Sequence, residues 1–283
     1  MPRITGDNQT YASPEQLLKA YDELGIERAC LLPGCNPECA YIPQSNEEVL
    51  ELAEKYHGRF IPFCNVDPRA MTNSWNAPLD KLLEYYRDKG CKGVGEVCAN
   101  LPILDPKVQN LFRCAEIAGL PLIFHLSPYV GYSYGLVDDS GLPQLEESLK
   151  RFPKLQFFGH SQTFWCEMGE ISCIDDRFGY PKGPVPKQGR VPELMRKYPN
   201  LYGDLSAGSG CNALKRDRKN AVAFLNEFQD RLFFGTDICQ PTMPTLRPLA
   251  EFLLDLRKTG EISETVFQKI ARENAVRILE LEK

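Results

Sequence analysis

Four polar residues of the chain end apolar or glycine-containing runs, and their side chains could together hold a metal ion. His125, His160 and Asp237 each close a stretch rich in leucine and phenylalanine, and Glu96 lies in the run Gly-Val-Gly-Glu-Val. An imidazole or carboxylate buried in such surroundings is costly without a partner. Two histidines and a carboxylate suit a divalent metal such as zinc. We therefore predict His125, His160, Asp237 and Glu96 as the residues of a divalent metal site.

Each of these residues also has a structural interpretation. A core histidine bonded to a backbone carbonyl would explain His125 or His160 taken alone. Asp237 could cap the next helix, although two prolines place the start of that helix further along the chain. Glu96 could bind metal, contact substrate or pair with Lys92.

Other residues with reactive side chains give weaker signals. His57 lies at a helix end beside a glycine, where an imidazolium interacts favourably with the helix dipole and faces solvent. Cys35 and Cys39 share a loop without a nearby histidine, so a zinc site there is disfavoured. Asp204 follows another apolar run and is predicted either to make a structural hydrogen bond or to contact substrate.

The elements that must position these residues repeat as a helix followed by a short apolar strand. Ser13 and Gln16 form a capping box that starts the first helix, and Gly25 ends it. The predicted strands end near Leu32, Asn65, Val97, His125, His160, Leu205 and Asp237. Further helices are predicted over residues 47–56, 79–88, 106–118, 142–152, 192–198, 221–228, 245–258 and 263–281.

Strands that are apolar throughout are covered on both faces, as in a parallel sheet. Regular alternation with helices predicts an α/β fold, a TIM-type (β/α)8 barrel with its first strand missing from the sequence. A six- or seven-stranded open sheet is the structural alternative. The carboxyl ends of barrel strands form the active site, and all four candidate ligands lie at such ends.

One long insertion interrupts the repeat at residues 161–191. Loops of this length are uncommon unless functional or disordered, and the aromatic residues here favour a lid over the preceding strand. Trp165 is therefore predicted to contact substrate, together with Asp204. No linker divides the chain, so we predict a single domain over residues 1–283.

The composition excludes several classes of protein. The 283 residues carry 33 basic and 38 acidic side chains, a net charge of −5, which argues against a dedicated nucleic-acid binder. No apolar run approaches the roughly 20 residues of a membrane span. The 11 cysteines lack a C-x-x-C pair and indicate reduced thiols and a cytoplasmic location. The expected partners are a small-molecule substrate and a second copy of the chain.

The motifs taken together resemble a known family. Pro121-Leu122-Ile123-Phe124-His125, Phe158-Gly159-His160, the run from Asn200 to Ser206, the run from Arg231 to Asp237 and the closing Glu273-Asn274-Ala275-Val276-Arg277 resemble the amidohydrolase-related branch of the amidohydrolase superfamily. That branch includes metal-dependent hydrolases and enzymes like aminocarboxymuconate-semialdehyde decarboxylase. The resemblance covers the chain from Tyr11 onward.

The resemblance implies roles for individual residues. His125 would bind one divalent metal, most simply zinc, while His160 would bind metal or act on substrate. Asp237 would contact the metal and shuttle the proton of a metal-bound water. The expected reaction is hydrolysis of a small carbonyl, amide or lactone-like substrate. Decarboxylation of a small carboxylic acid is the alternative.

A decarboxylase would need a cation aimed at the carboxylate of its substrate. Arg69, Arg177 and Arg247 are the candidates for that role.

The sequence departs from the family at one motif. The family's first strand carries a His-x-His pair of metal ligands, and no such pair occurs in this chain. The favoured expectation is that the natural protein begins upstream of Met1. The competing one is that strand and metal are lost, leaving a metal-free binding protein or inactive relative. The chain as it stands should then bind metal weakly and leave strand edges unpaired.

Overall fold

A computed structural model describes residues 11–39, 43–171 and 173–281. The predicted absence of the first barrel strand concerns the residues before Tyr11, which lie outside this description. Helices α1 to α12 are Pro14–Leu24, Asn46–Lys55, Leu79–Asp88, Pro106–Ala118, Pro143–Arg151, Gln162–Trp165, Arg190–Lys197, Ala207–Lys215, Arg218–Glu227, Pro248–Lys258, Glu264–Gln268 and Asn274–Ile278. Strands β1 to β8 are Ala29–Leu31, Phe60–Pro62, Val94–Val97, Leu122–Ser127, Leu136–Val137, Phe157–His160, Leu201–Asp204 and Leu232–Phe233.

Every strand pair is parallel, which confirms the predicted α/β class. One ladder joins β1 to β2, and another has the order β3-β4-β6-β7-β8, with the two-residue β5 beside β4. A parallel bridge between Cys64 and Val94 links the two ladders. The seven predicted strands are therefore present in chain order, whereas β5 was not predicted. Within the described residues, no ladder joins the outer edges of β1 and β8.

The first helix forms for the predicted reason. Ser13 Oγ accepts a hydrogen bond from the Gln16 amide, and the Gln16 side chain accepts one from the Ser13 amide. Gly25 closes the helix in the left-handed conformation with φ 71°. Leu17 and Tyr21 are buried on the inner face, so local capping and apolar spacing together define α1.

Alternation along the strands sorts side chains into two layers. Side chains of a strand point alternately to opposite faces, and Phe124, Phe157, Leu201 and Leu232 pack outward into the large core shared with the helices. The opposite face carries an aromatic cluster of Phe158, Tyr202 and Phe233, with Ile123 packed against it. The candidate site residues of β4, β6 and β7 lie two positions further along, directly above this cluster.

The long insertion is more ordered than a loop. It contains α6 and two 3-10 turns, Cys166–Met168 and Ile174–Phe178. Its Phe178 ring contacts Tyr129 and Tyr132 in the loop that follows β4, with centroids 5.8 and 5.2 Å apart. The insertion therefore packs against the loop beside the β4 end.

Two helical regions differ from prediction. Helix α8 directly follows β7, in a stretch for which no helix was predicted. The last predicted helix contains a π-helical turn, Lys269–Glu273, between α11 and α12. Among the residues described, no helix is long and apolar enough to cross a membrane.

Candidate metal centre

Three of the predicted ligands converge at the carboxyl ends of adjacent strands. Glu96 of β3, His125 of β4 and His160 of β6 each offer a donor atom, and these atoms all lie within 4.8 Å of one another. Glu96 Oε1 is 2.7 Å from His125 Nδ1 and 3.6 Å from His160 Nε2. Both imidazoles are buried. This is a compact, three-donor site with the residue types of a divalent metal centre.

The backbone at Glu96 is fixed by its neighbours. The Asn65 side chain donates to the Glu96 carbonyl at 2.6 Å. Gly95 has φ 121°, and a Cβ there would lie 2.3 Å from the Ile123 carbonyl oxygen. Only glycine combines that backbone conformation with so close an approach to β4. The glycine before Glu96 thus lets β3 and β4 bring the two ligands together.

A second carboxylate orients His160. Asp204 Oδ2 lies 2.9 Å from His160 Nδ1, and the Ser206 hydroxyl donates to the same carboxylate at 2.5 Å. A carboxylate on one imidazole nitrogen fixes the ring and leaves the other nitrogen for a metal. Sequence reasoning left Asp204 between a structural and a substrate-binding role. The structure places it behind His160 as the partner of Nδ1.

The close charges shift the pKa values of the ligands. Burial raises the pKa of Glu96, but the positive charges of His125 and His160 outweigh this effect and lower it to about 2. Burial opposes protonation of His160, yet the carboxylates of Glu96, Asp204 and Asp237 raise its pKa to about 10. The site is therefore a dense network of opposite charges. A cation held by the donors would take the place of these protons.

Asp237 lies near the cluster but outside its compact donor set. Its side chain faces the open cleft, yet the surrounding walls desolvate the carboxyl group and raise its pKa. The negative charges of Glu96 and Asp204 raise the pKa further, while His160 and His125 lower it. Asp237 is thus a cleft-facing carboxyl group close enough to the three ligands to interact with their charges.

Tyr134 is a site residue that the sequence analysis missed. Its ring centroid lies 4.5 Å from that of His125, and its side chain lines the cleft. Burial and the nearby Glu96 charge raise the pKa of its phenol. The following Gly135 has φ 116°, and a Cβ there would meet His125 Cδ2 at 2.8 Å. The signal available in sequence was a tyrosine before glycine in the loop after His125.

Trp165 does not line the cleft. Its side chain is buried, its ring packs edge-on against Phe224, and its Nε1 donates to the Asp204 carbonyl at 2.8 Å. It therefore supports the backbone of Asp204 from behind. His57 is exposed, as expected for a residue at a helix end.

The three arginines proposed to hold a substrate carboxylate are engaged elsewhere. Arg69 pairs with Glu38 at 2.8 Å, and Arg177 is buried with its Nε 3.9 Å from Glu167. Arg247 pairs with an acidic residue of α1 at 3.0 Å on the surface. None of these three candidates is among the residues that line the cleft beside the donor set.

A large cleft of about 1570 Å³ opens onto the site. Its walls include all three residues of β1 and the segment that runs from Phe233, the last residue of β8, to Asp237. Glu96, His160 and Asp204 line it as well. The cleft therefore lies between the two outer strands and gives a small molecule access to the ligands.

Solved structures share this fold at low sequence identity. An uncharacterised TIM-barrel protein from Bordetella bronchiseptica has a TM-score of 0.66 and 19% identity, with 95% of this chain and 83% of that chain covered. 2,6-Dihydroxybenzoate decarboxylase from Rhizobium has a TM-score of 0.60 and 17% identity, covering 97% and 90%. These likenesses confirm the predicted TIM-barrel fold.

The reactions of the structural neighbours differ. A probable 2-pyrone-4,6-dicarboxylic acid hydrolase from Acinetobacter baumannii has a TM-score of 0.55 and 12% identity, covering 98% of this chain and 94% of that one. A dihydroxybenzoic acid decarboxylase from Polaromonas, solved with bound manganese, has a TM-score of 0.57 and 15% identity, covering 97% and 88%. No curated protein matches the chain.

The family comparison covers almost the whole chain. The family described as amidohydrolase matches residues 2–281. That range includes every strand of the sheet and all of the residues that converge at the candidate metal centre. The resemblance drawn from the short strand-end motifs is thereby confirmed: the chain belongs to the amidohydrolase family.

Proposed function

We propose that the protein is a metal-dependent hydrolase that acts on a small, uncharged carbonyl compound such as an amide or a lactone. The observation that carries the proposal is a compact donor set, Glu96, His125 and His160, with a separate carboxyl group of raised pKa beside it. A hydrolase needs both parts, since one set of groups activates the carbonyl and another moves the proton.

The donor chemistry suits a divalent ion. Two buried imidazoles and one carboxylate are a common set for catalytic zinc, which keeps a further position open. The Asp204 carboxylate already holds His160 with Nε2 directed toward Glu96. We therefore propose zinc, with manganese as the second metal to test. When bound, such an ion polarises a carbonyl oxygen and acidifies water.

The chain's own residues divide the remaining work. Asp237 takes a proton from the attacking water at its carboxylate and returns it to the leaving group. The raised pKa favours the first step, because a more basic carboxylate is a stronger proton acceptor. His160 keeps its Nδ1 proton and donates a hydrogen bond from it to the Asp204 carboxylate throughout. Tyr134 packs beside His125 and borders the space that the substrate would enter.

The charge of the surroundings favours an uncharged substrate. Glu96, Asp204 and Asp237 contribute three carboxylates around the site, and the cationic candidates are engaged elsewhere. Beside the donor set, a substrate carboxylate would be repelled by these three groups, whereas the wider cleft also has the cations Arg28, Lys55 and Arg272 on its walls. Decarboxylation is the second candidate, favoured by the dihydroxybenzoate decarboxylases that share the fold. The Tyr134 ring would then stack on an aromatic acid.

The test uses the whole chain, stripped of metal and reloaded with zinc or manganese. Lactones, amides and aromatic acids including 2,6-dihydroxybenzoate are screened for product, and the His125→Ala variant serves as the matched control. Metal-dependent hydrolysis that disappears in the variant supports the proposal. Carbon dioxide release from the acids alone would replace it with decarboxylation. Substrate binding without turnover or metal would indicate a binding protein.

Two further aspects of the proposal concern the setting of the protein. All 11 cysteines are free thiols, which favours the reducing cytoplasm. In the described chain the outer edges of β1 and β8 have no neighbouring strand. Such edges can pair with another chain, so we also propose that the protein forms a homodimer. Sedimentation at several protein concentrations tests it.

A further inference from the structure

The loop between β4 and β5 turns one of its three tyrosines toward the candidate metal centre. The loop carries Tyr129, Tyr132 and Tyr134. Tyr134 alone of the three is among the residues that line the cleft. Its ring centroid lies 4.5 Å from that of His125, whereas the rings of Tyr129 and Tyr132 pack against Phe178. The Tyr134 side chain is therefore within reach of a molecule bound beside His125.

Backbone contacts fix the position of Tyr134 relative to His125. The Asn100 side chain accepts a hydrogen bond from the Gly131 amide and donates one to the Gly135 carbonyl at 3.0 Å. It thereby holds both ends of the segment that contains Tyr134. Because Gly135 has no Cβ, its backbone can approach the His125 ring, where a Cβ would lie 2.8 Å from Cδ2. The phenol is thus held beside the metal ligand by the fold of the loop.

The Tyr134 hydroxyl is available to a ligand in the cleft. The residue is 40% exposed, and its hydroxyl makes no hydrogen bond to any residue that the structure describes. A phenol stays protonated near neutral pH, since its ordinary pKa is about 10. The hydroxyl can therefore donate to an oxygen atom of a bound molecule.

Hydrolysis of an uncharged carbonyl compound develops negative charge where such a donor is needed. As water attacks the carbonyl carbon, the electrons of the C=O bond move onto the carbonyl oxygen. The ionised carboxylates of Glu96 and Asp204 only accept hydrogen bonds, and the Ser206 hydroxyl already donates to Asp204 at 2.5 Å. A neutral donor that the fold holds in place stabilises an oxyanion without reorganisation during the reaction. Tyr134 offers such a donor on the His125 side of the site.

We propose that the Tyr134 hydroxyl donates a hydrogen bond to the oxyanion formed from the substrate carbonyl, an inference that rests on the proposed hydrolase function. The attacking water gives its proton to Asp237 as its oxygen bonds to the carbonyl carbon. When the tetrahedral state collapses, the C=O bond re-forms, the bond to the leaving group breaks, and Asp237 returns the proton to that group. Tyr134 keeps its own proton throughout. It is a catalytic residue that stabilises charge and does not transfer a proton.

The Tyr134→Phe variant removes the hydroxyl and keeps the ring beside His125. With the best amide or lactone of the substrate screen, kcat of the zinc-loaded variant should fall about 100-fold, as for removal of one oxyanion donor. KM should stay within about threefold of the parent value, because the lost bond forms mainly in the transition state. Tyr132→Phe is the matched control: Tyr132 is 45% exposed and does not line the cleft, so both constants should be unchanged.

Binding of trifluoroacetophenone gives a readout that does not depend on turnover. Its hydrate carries two hydroxyl groups on a tetrahedral carbon and so mimics the proposed intermediate. Calorimetric titration of the zinc-loaded protein should show a dissociation constant about tenfold higher in Tyr134→Phe than in the parent. Tyr132→Phe should bind the ketone as the parent does. Chelator competition should give the same zinc affinity for all three proteins.

The outcomes separate this proposal from the proposed function. Parent-like kcat and ketone affinity in Tyr134→Phe would overturn the role of Tyr134, as would a rise in KM alone or a loss of zinc affinity that accounts for the lower rate. A parent protein that binds the ketone through Tyr134 but hydrolyses no amide or lactone would support the Tyr134 contact and refute the hydrolase function. A parent that neither binds the ketone nor hydrolyses any compound would refute both.

Discussion

Replacing Asp204 with asparagine tests whether the second carboxylate of the site orients its metal ligand. The substitution keeps the size of the side chain and removes its charge. In the structure Asp204 Oδ2 lies 2.9 Å from His160 Nδ1, and the two side chains are only 13% and 4% exposed. Solvent therefore screens this interaction little. We expect Asp204→Asn to weaken zinc binding by about 10–100-fold.

The size of this loss of zinc affinity depends on which interactions the Asp204→Asn variant retains. The asparagine carbonyl can still accept from Nδ1, so His160 keeps a partner and the ring keeps its position in part. The negative charge of the carboxylate is lost. That charge makes the His160 imidazole a stronger electron donor to a metal at its other nitrogen. The loss is then about 1.4–2.7 kcal/mol of binding free energy, the equivalent of one to two powers of ten.

Competition of the metal-free protein with a chromogenic chelator measures the affinity. Asp230→Asn is the matched control, because its carboxylate is 64% exposed and pairs only with Lys269 in the described chain. The control should bind zinc as the parent does. Zinc affinity within twofold of the parent in Asp204→Asn, with an unchanged circular dichroism spectrum, would refute the assigned role of Asp204.

Three other outcomes are expected. Nearby carboxylates raise the pKa of His160 from 6.5 to about 10 against the effect of burial, so the folded metal-free protein binds more protons than the unfolded chain between these two values. Urea titrations should therefore show the stabilising contribution of His160 complete below pH 6.5 and lost as the pH rises toward 10, a loss on the order of a few kcal/mol. Trp165→Phe removes the donor to the Asp204 carbonyl and should cost about 1–3 kcal/mol by the same assay. Gly95→Ala places a Cβ 2.3 Å from the Ile123 carbonyl and should lower Tm or prevent folding; a parent-like Tm would contradict that geometry.

Local signals accounted for most of the elements. The helix Pro106–Ala118 has its predicted bounds, because Asp105 caps it, Pro106 opens it and Gly119 closes it in the left-handed conformation. Helix α8 was missed since its first turn contains two glycines, which disfavour helix in isolation. Its buried Cys211 and Leu214 indicate that packing against the rest of the fold stabilises it. Intrinsic helix propensity depends on the local sequence alone, so it does not include the stabilisation that α8 gains from tertiary packing.

The sequence by itself determined which residues stand at the carboxyl ends of the strands. Apolar runs identify strands covered on both faces, and the polar residue that ends each run must then lie at one rim of a parallel sheet. His125, His160, Glu96 and Asp237 were found in this way. The resemblance to the amidohydrolase family rests on the same run ends.

Only the tertiary structure decided how these residues divide into a site. Strand order and register bring Glu96 within 2.7 Å of His125, while Asp237 remains outside the compact set. They also place Asp204 on Nδ1 of His160. Distances between side chains on different strands depend on neighbours far apart in the chain. A local sequence pattern does not determine these distances. The physical reason is that the packing of the whole fold decides which strand ends lie next to each other.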